Sequence, residues 1–417
     1  MTQEEREQLH VIIVGGGICG MACGAALRAH AKVTILESVK VVREIGAAVH
    51  LAPNATRIIK ALGGDLLKYG APNVKMFKTF QPDGTPLIAV PSGTDDGENQ
   101  WLLNHRVDVL EELKELATRD DGPGRPCELV LNTRVVGCDP EAGTVTTSTG
   151  EVYTADVIIA SDGIKSAVRS SIVGDSLNSV PSGHSAYRML IPASKINSDP
   201  ELAALKITDP NLTIIYGNGR RIICYPCRNQ TILNFVCILP DSELNEISEE
   251  KWTAKGDVAS LVKSYSSFAP VYQKLLGTAD EVGLWQLRDQ EPLHKWTKGR
   301  AILLGDAAHA MLPHQGQGAS QAIEDAEAIG ALLQDVSPAD VPATLEEIFR
   351  IRYKRATMTQ QQSRLAGLGS ASRGTGDEVV KQMEAHAMNQ FEFKNFTWQY
   401  RGAKDWKANH AEFVLQA

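Results

Sequence analysis

Three glycine-bearing stretches hold residue types that handle phosphates and sugars. The first, Gly15-Gly16-Gly17-Ile18-Cys19-Gly20, follows a short apolar run, His10 to Val14, and precedes an alanine-rich helix former, Met21 to Ala29. In that setting Gly15 makes the tight turn, Gly17 lets backbone approach a pyrophosphate, and Gly20 packs helix on strand. The helix start turns unpaired N–H groups toward phosphate charge. Glu37 stands 17 residues beyond Gly20, at the end of the apolar run Val33 to Leu36. A carboxylate there accepts from a ribose hydroxyl. A GxGxxG alone is weak, and a glycine turn packing helix on sheet is its bland alternative. With strand, helix and acid in place it reads as a dinucleotide site.

The second stretch is Ala155 to Arg169, ADVIIASDGIKSAVR. A buried strand ending in Asp162-Gly163 delivers a carboxylate to a sheet edge, where ligands of such folds bind. Ser166 and Arg169 follow at helical spacing; a capping aspartate explains the pattern as well. The third runs from Arg300 to Asp325: a strand, Gly305-Asp306, a turn with Pro313, then Gly316-Gln317-Gly318 opening a helix. Asp306 suits a polyol hydroxyl. A helix starting near Gly318 aims positive partial charge at an anion such as a reduced flavin.

Positioning these stretches requires strand–turn–helix units. The opening has the length of one βαβ half. Asn54 to Leu62 and Arg106 to Ala117 have helical spacing, and Leu129 to Ile159 reads as a run of short strands. From Gly183 to about Leu284, pieces such as SAYRMLIP, LTIIYG, RIICYP and TILNFVCIL alternate with Gly, Asn and Pro turns, which suits a largely antiparallel sheet. Arg350 to Ala417 is helical and polar with late aromatics. The expected organisation is a nucleotide-binding domain from residues 1–73, 100–180 and 285–345, a substrate domain from 74–99 and 181–284, and a helical region over 346–417.

A chain of 417 residues has room for two domains. Its net charge of -8, without a basic run, argues against nucleic acid. The polar, acidic start MTQEEREQLH is no secretory signal, and no apolar run approaches the roughly 18 residues of a membrane span. The expected location is the cytoplasm. Seven scattered cysteines suit a reducing compartment. Cys224 and Cys227 form a lone CxxC without a second ligand pair, so a strand reading is preferred over a metal.

Taken in order, the three stretches resemble the single-component FAD-dependent aromatic hydroxylases, nearest the salicylate-hydroxylase-like branch. REIGAAVHLAPNA (Arg43 to Ala55), HRVDVLEEL (His105 to Leu113), SAYRMLIP (Ser185 to Pro192), Tyr225-Pro226 and the tail NFTWQYRGAKDW (Asn395 to Trp406) add to the likeness. The resemblance implies an α/β fold: a Rossmann-like FAD-binding domain of discontinuous segments, a sheet-rich substrate domain and a helical C-terminal tail. It implies that Glu37 holds the adenosine ribose, with Arg43 and Arg106 at the ribityl–pyrophosphate region. Asp162 would touch FAD and help the nicotinamide, Asp306 would hold the ribityl chain, and Pro313, Gly316, Gly318 and Ala319 would surround the ring, with Ala47, in the stretch Arg43 to Ala55, also binding the cofactor.

The implied activity is hydroxylation of a small phenolic, indolic or enolic substrate with NAD(P)H and O2, through a flavin hydroperoxide. Arg188 is the candidate for binding the activated anion. Tyr187, Tyr216 and Tyr225 are candidate pocket tyrosines. His50 and His314 lie in flavin-associated segments, with His314 a candidate proton shuttle, and His309 fixes the turn after Asp306. Ser320 departs from the glycine common in salicylate enzymes. No second GxGxxG occurs with strand and helix around it, which fits transient nicotinamide binding. A dehydrogenase that never activates oxygen, and a regulatory flavoprotein, are the other readings; epoxidation, dearomatisation and oligomeric state stay open.

Overall fold

Val11, Ile12 and Ile13 are fully buried, as a continuous apolar run must be in a strand covered on both faces. The computed structural model describes residues 8–40, 47–95, 97–174, 179–244, 255–367 and 388–416. In it the strand Leu9–Val14 lies inside a six-stranded sheet ordered Thr297–Lys298, Ala301–Leu303, Val157–Ala160, Leu9–Val14, Ala31–Leu36, Glu128–Val130. All neighbours are parallel except the first pair. Parallel pairing has a consequence for the site. Three adjacent strands end together, at Gly15, at Ser161-Asp162 and at Leu304-Gly305-Asp306, so the three stretches share one sheet edge.

A second sheet has eight strands, in the order Lys255–Gly256, Val282–Asp289, Val180–Pro192, Ile232–Pro240, Arg220–Cys227, Asn211–Gly217, Met76–Phe80, Pro86–Pro91. It is antiparallel save for the pair Asn211–Gly217 with Met76–Phe80. Side chains alternate along the long strand. Tyr187, Met189 and Ile191 enter a core shared with Leu261, Tyr265 and Leu275, while Ala186 and Arg188 face the other way. Tyr187 is therefore corrected from pocket wall to core residue, because its neighbour Arg188 lines the pocket.

Two expectations change in detail. The run 129–159 is divided: Val135–Asp139, Thr144–Thr147 and Val152–Thr154 form their own antiparallel sheet, and the flanking strands join the parallel one. The helix Val341–Gly367 begins ahead of the 346–417 stretch and is no polar appendage. Leu345, Ile348 and Ile351 share a hydrophobic core with Val11 and Ile13. Cys224 and Cys227 sit buried in one strand, where burial pushes each thiol up to about 12. Among the described residues no helix is long and apolar enough to cross a membrane.

Candidate active site

Gly15 takes φ +101°, and a Cβ there would lie 2.6 Å from the Ser161 carbonyl oxygen. At Gly20 a Cβ would lie 1.9 Å from the Gly15 oxygen, whereas at Gly17 it would meet nothing within 4 Å. The turn is thus closed at two glycines and open at the third. The helix Ile18–Leu27 begins at Gly17 with no side-chain cap, leaving its first N–H groups for a ligand. Glu37 is more occupied than its expected sugar role requires. One oxygen accepts from the Gly16 N–H at 2.7 Å, and the other from the Ser38 hydroxyl and the Val39 N–H, each at 3.0 Å. It braces the turn as well as facing it.

The three stretches are tied to each other by side chains. Ser161 donates to the carbonyls of Val14 and Gly15 at 3.0 and 3.1 Å. Arg169, buried, donates to the carbonyls of Gly163, Ile164, Asp306 and Ala307. Asp162 accepts from the Ala167 N–H with one oxygen, and its other is buried without a partner among the described residues. Burial raises its pKa. Asp306 is exposed at the start of the short helix Asp306–His309.

The helix Gly318–Leu332 also begins without a side-chain cap. Behind it lies a buried ionic network that the sequence reading missed. Glu324 meets Arg352 and Arg355, Asp325 meets Arg352 at 2.8 Å and His309 at 2.6 Å, and all five side chains are fully buried. Burial pulls Glu324 toward the neutral form, but Arg355 and Arg352 outweigh it and hold the carboxylate below its usual range. The same balance, with His309 and Arg352 as the favourable neighbours, places Asp325 at about 2. Asn54 bridges Glu324, at 2.6 Å, to the Gln317 side chain at 3.2 Å, carrying the network to the helix start. The tail aromatics Phe396, Tyr400 and Trp406 stack on Arg355 at 4.9, 4.9 and 4.5 Å. Arg352 and Arg355 stand three apart on one helix face, but that spacing alone does not mark them as buried.

Between the sheet edge and the inner face of the eight-stranded sheet lies a cavity of about 1400 Å³. Ligand pockets run about 300–1,000 Å³, so this one has room for a cofactor ring and a second small molecule. Gly17, Ala47, Arg106, Asp306, Pro313, Gly316, Gly318 and Ala319 line one side; Arg188, Tyr216 and Tyr225 line the other, with His314 at the boundary. Gly15, Gly20, Glu37 and Asp162 do not line the cavity. Arg43 falls outside the described residues. Asn234, not foreseen, also lines the cavity and accepts from the Ala48 N–H at 3.2 Å, joining the two sides.

Arg188 stacks on Trp285 at 5.2 Å, its Nε has no hydrogen-bond partner, and it forms no ion pair among the described residues. Burial and the neighbouring Arg106 cation lower it to about 10. Burial raises both Tyr216 and Tyr225. His314, beside Arg221 at 3.4 Å, is lowered by burial and by that cation to about 3. It is neutral at pH 7, far from the poise that suits a proton shuttle.

A family model described as an FAD binding domain matches residues 8–363. The FAD-dependent monooxygenase cfoG of Aspergillus candidus is 36% identical over 377 residues, covering 87% of this chain and 86% of that protein. The chain belongs to the FAD-dependent monooxygenase family. Hispidin-3-hydroxylase of Neonothopanus nambi is 32% identical over 372 residues, 85% of this chain and 87% of its own. Among solved structures, a salicylate hydroxylase substrate complex superposes with TM-score 0.77 at 27% identity, covering 98% of this chain and 99% of that one.

The residues of this monooxygenase fit an FAD: an open glycine face, two uncapped helix starts and an exposed aspartate converge on one cavity. The glycines separate binding from folding. Gly17→Ala is expected to keep the fold, since its Cβ meets nothing, yet to raise the Kd for FAD on the order of tenfold, equivalent to about 1.4 kcal/mol of lost close approach. Gly20→Ala should instead destabilise the protein by about 1–3 kcal/mol through overpacking. FAD titration of the apoprotein and urea unfolding distinguish the two; a Gly17→Ala protein that binds FAD normally would remove this role.

Proposed function

We propose that this monooxygenase hydroxylates a small aromatic or enolic substrate at the expense of NAD(P)H and O2. The balance is substrate, O2, NAD(P)H and a proton in; hydroxylated product, water and NAD(P)+ out. Bound FAD supplies the hard chemistry, accepting hydride from the nicotinamide and activating dioxygen. The protein's task is to place an electron-rich carbon beside the ring and keep bulk water away.

The observation that carries this reading is Arg188: a half-buried guanidinium with its Nε buried and no ion pair among the described residues, facing the cavity across from the FAD-binding loops. A phenolate or enolate oxygen would supply the missing negative charge, and its ionisation makes the neighbouring carbon a better nucleophile. Tyr225, held in its protonated form by burial, offers a neutral O–H to the same region. Ile223, Val236 and Ile238 give apolar walls for a flat ring. On the opposite side, the positive end of the helix from Gly318 favours negative charge on the reduced cofactor. His314 contributes a neutral polar wall rather than a proton relay.

Purified protein carrying FAD should oxidise NADH or NADPH slowly alone and faster with the right aromatic in a broad panel. Oxygen uptake should then match a product 16 mass units heavier, about one O2 per product. Oxygen consumption that yields only H2O2 across the panel, or no nicotinamide oxidation at all, would overturn the proposal.

A further inference from the structure

The mechanism above leaves the cavity-lining His50 unused. His50 lies in the strand Ala48–Leu51, paired with Leu102–His105 so that Trp101 stands just before its partner strand. The Trp101 indole N–H donates to His50 Nδ1 at 3.0 Å. An indole N–H is a donor only, so Nδ1 is the unprotonated nitrogen and a neutral ring must carry its proton on Nε2. Burial lowers the imidazole to about 4, so the neutral ring is the form present at pH 7. Trp101 and Tyr225 flank the ring edge-on, at 5.4 and 6.0 Å between centroids, and fix its plane.

The other end of the ring points at the cofactor loop. A Cβ on Gly316 would lie 2.0 Å from His50 Nε2 and 2.2 Å from Cε1. Gly316 takes φ +60° in the turn that leads into the Gly318 helix, so the missing side chain both permits that turn and admits the imidazole. Nε2 has no hydrogen-bond partner among the described residues, and His50 and Gly316 both line the cavity. A donor whose tautomer is set on one side and whose proton is left unused on the other is prepared for a ligand acceptor.

We infer that His50, locked as its Nε2–H tautomer by Trp101, donates a hydrogen bond to the flavin ring held at the Pro313–Ala319 turn. This rests on FAD binding, and not on the hydroxylation proposed above, so the test uses neither nicotinamide nor aromatic substrate.

The experiment uses apoprotein labelled with ring-15N histidine, with the His50 signal assigned by its loss in His50→Gln among the 10 histidines. The free protein should show the Nε2–H tautomer, and adding FAD should shift the Nε2 resonance. Trp101→Phe should release the lock, so that both tautomers are populated. In parallel, His50→Leu should weaken FAD binding about three- to tenfold, the worth of one hydrogen bond, while His50→Gln, which keeps a donor near the Nε2 position, stays within about twofold of wild type. A protein that turns yellow with FAD while the His50 signal is unmoved, or a folded His50→Leu that binds FAD as tightly as wild type, overturns the inference. An apoprotein that takes up no FAD would overturn FAD binding itself, a separate failure seen at once from the missing flavin absorbance.

Discussion

Arg188→Ala is expected to retain FAD and to lose about 10- to 150-fold in kcat/KM, with oxygen diverted from product to H2O2. The range follows from hydrogen bonds to a charged group, worth about 1.5–3 kcal/mol, at about 1.4 kcal/mol per tenfold. Packing around half-buried Arg188 covers its Nε, and burial together with the Arg106 cation lowers its pKa to about 10 before any ligand arrives. Part of the desolvation cost is already met in the fold, so an anionic oxygen entering the cavity meets a partly desolvated cation. Arg188→Lys should fall between: it keeps the charge but not the planar guanidinium that stacks on Trp285. The measurements are flavin content, steady-state kinetics and the ratio of product to NAD(P)H consumed. Unchanged kcat, KM and coupling in Arg188→Ala would dispose of the substrate-binding role.

Glu324→Ala should give the largest loss of stability, about 3–5 kcal/mol, because it strands Arg352 and Arg355 in a fully buried setting. Asp325 remains, but it is already shared between Arg352, His309 and the Gly305 N–H. Removing Glu324 also cuts the link through Asn54 to Gln317, the residue at the start of the cofactor-facing helix. Weaker FAD binding should therefore accompany the lost stability. Urea unfolding of apo and FAD-bound protein separates the two effects. A second variant, Glu324→Leu with Arg355→Leu, removes one charge of each sign and should recover part of the loss. A single variant as stable as wild type would show that the network contributes nothing net.

Why the cofactor segments were legible and the network was not follows from the range of the interactions. Gly15, Gly17, Gly20 and Glu37 act within one βαβ unit, where spacing along the chain dictates spacing in space. The same holds for Gly305-Asp306 and for Gly316 with Gly318, whose backbone needs are local. The family resemblance spans the same segments. Arg188 was placed in a strand, and strand alternation then decided everything: it faces the cavity while Tyr187, one residue earlier, faces the core. Alternation was visible in the sequence, but its phase was not, because that depends on which face the helices cover.

Arg352, Arg355 and Asn54 lie far along the chain from Glu324 and look like ordinary surface residues of polar helices. Nothing local marks an arginine as buried; only the closing of the tail helices over the Gly318 helix takes it out of water and obliges it to find a carboxylate. His50 and Trp101 meet for a similar reason, through pairing of two short strands 51 residues apart in the hydrogen bond they share. The sequence by itself therefore determined the cofactor class, the family and the strand–turn–helix units that hold phosphate and sugar, since those depend on backbone geometry within short windows. Tertiary structure alone decided which side chains face the cavity, which charges are buried and paired, and which tautomer a histidine presents, since burial and partner choice are properties of the packed chain and not of any stretch of it.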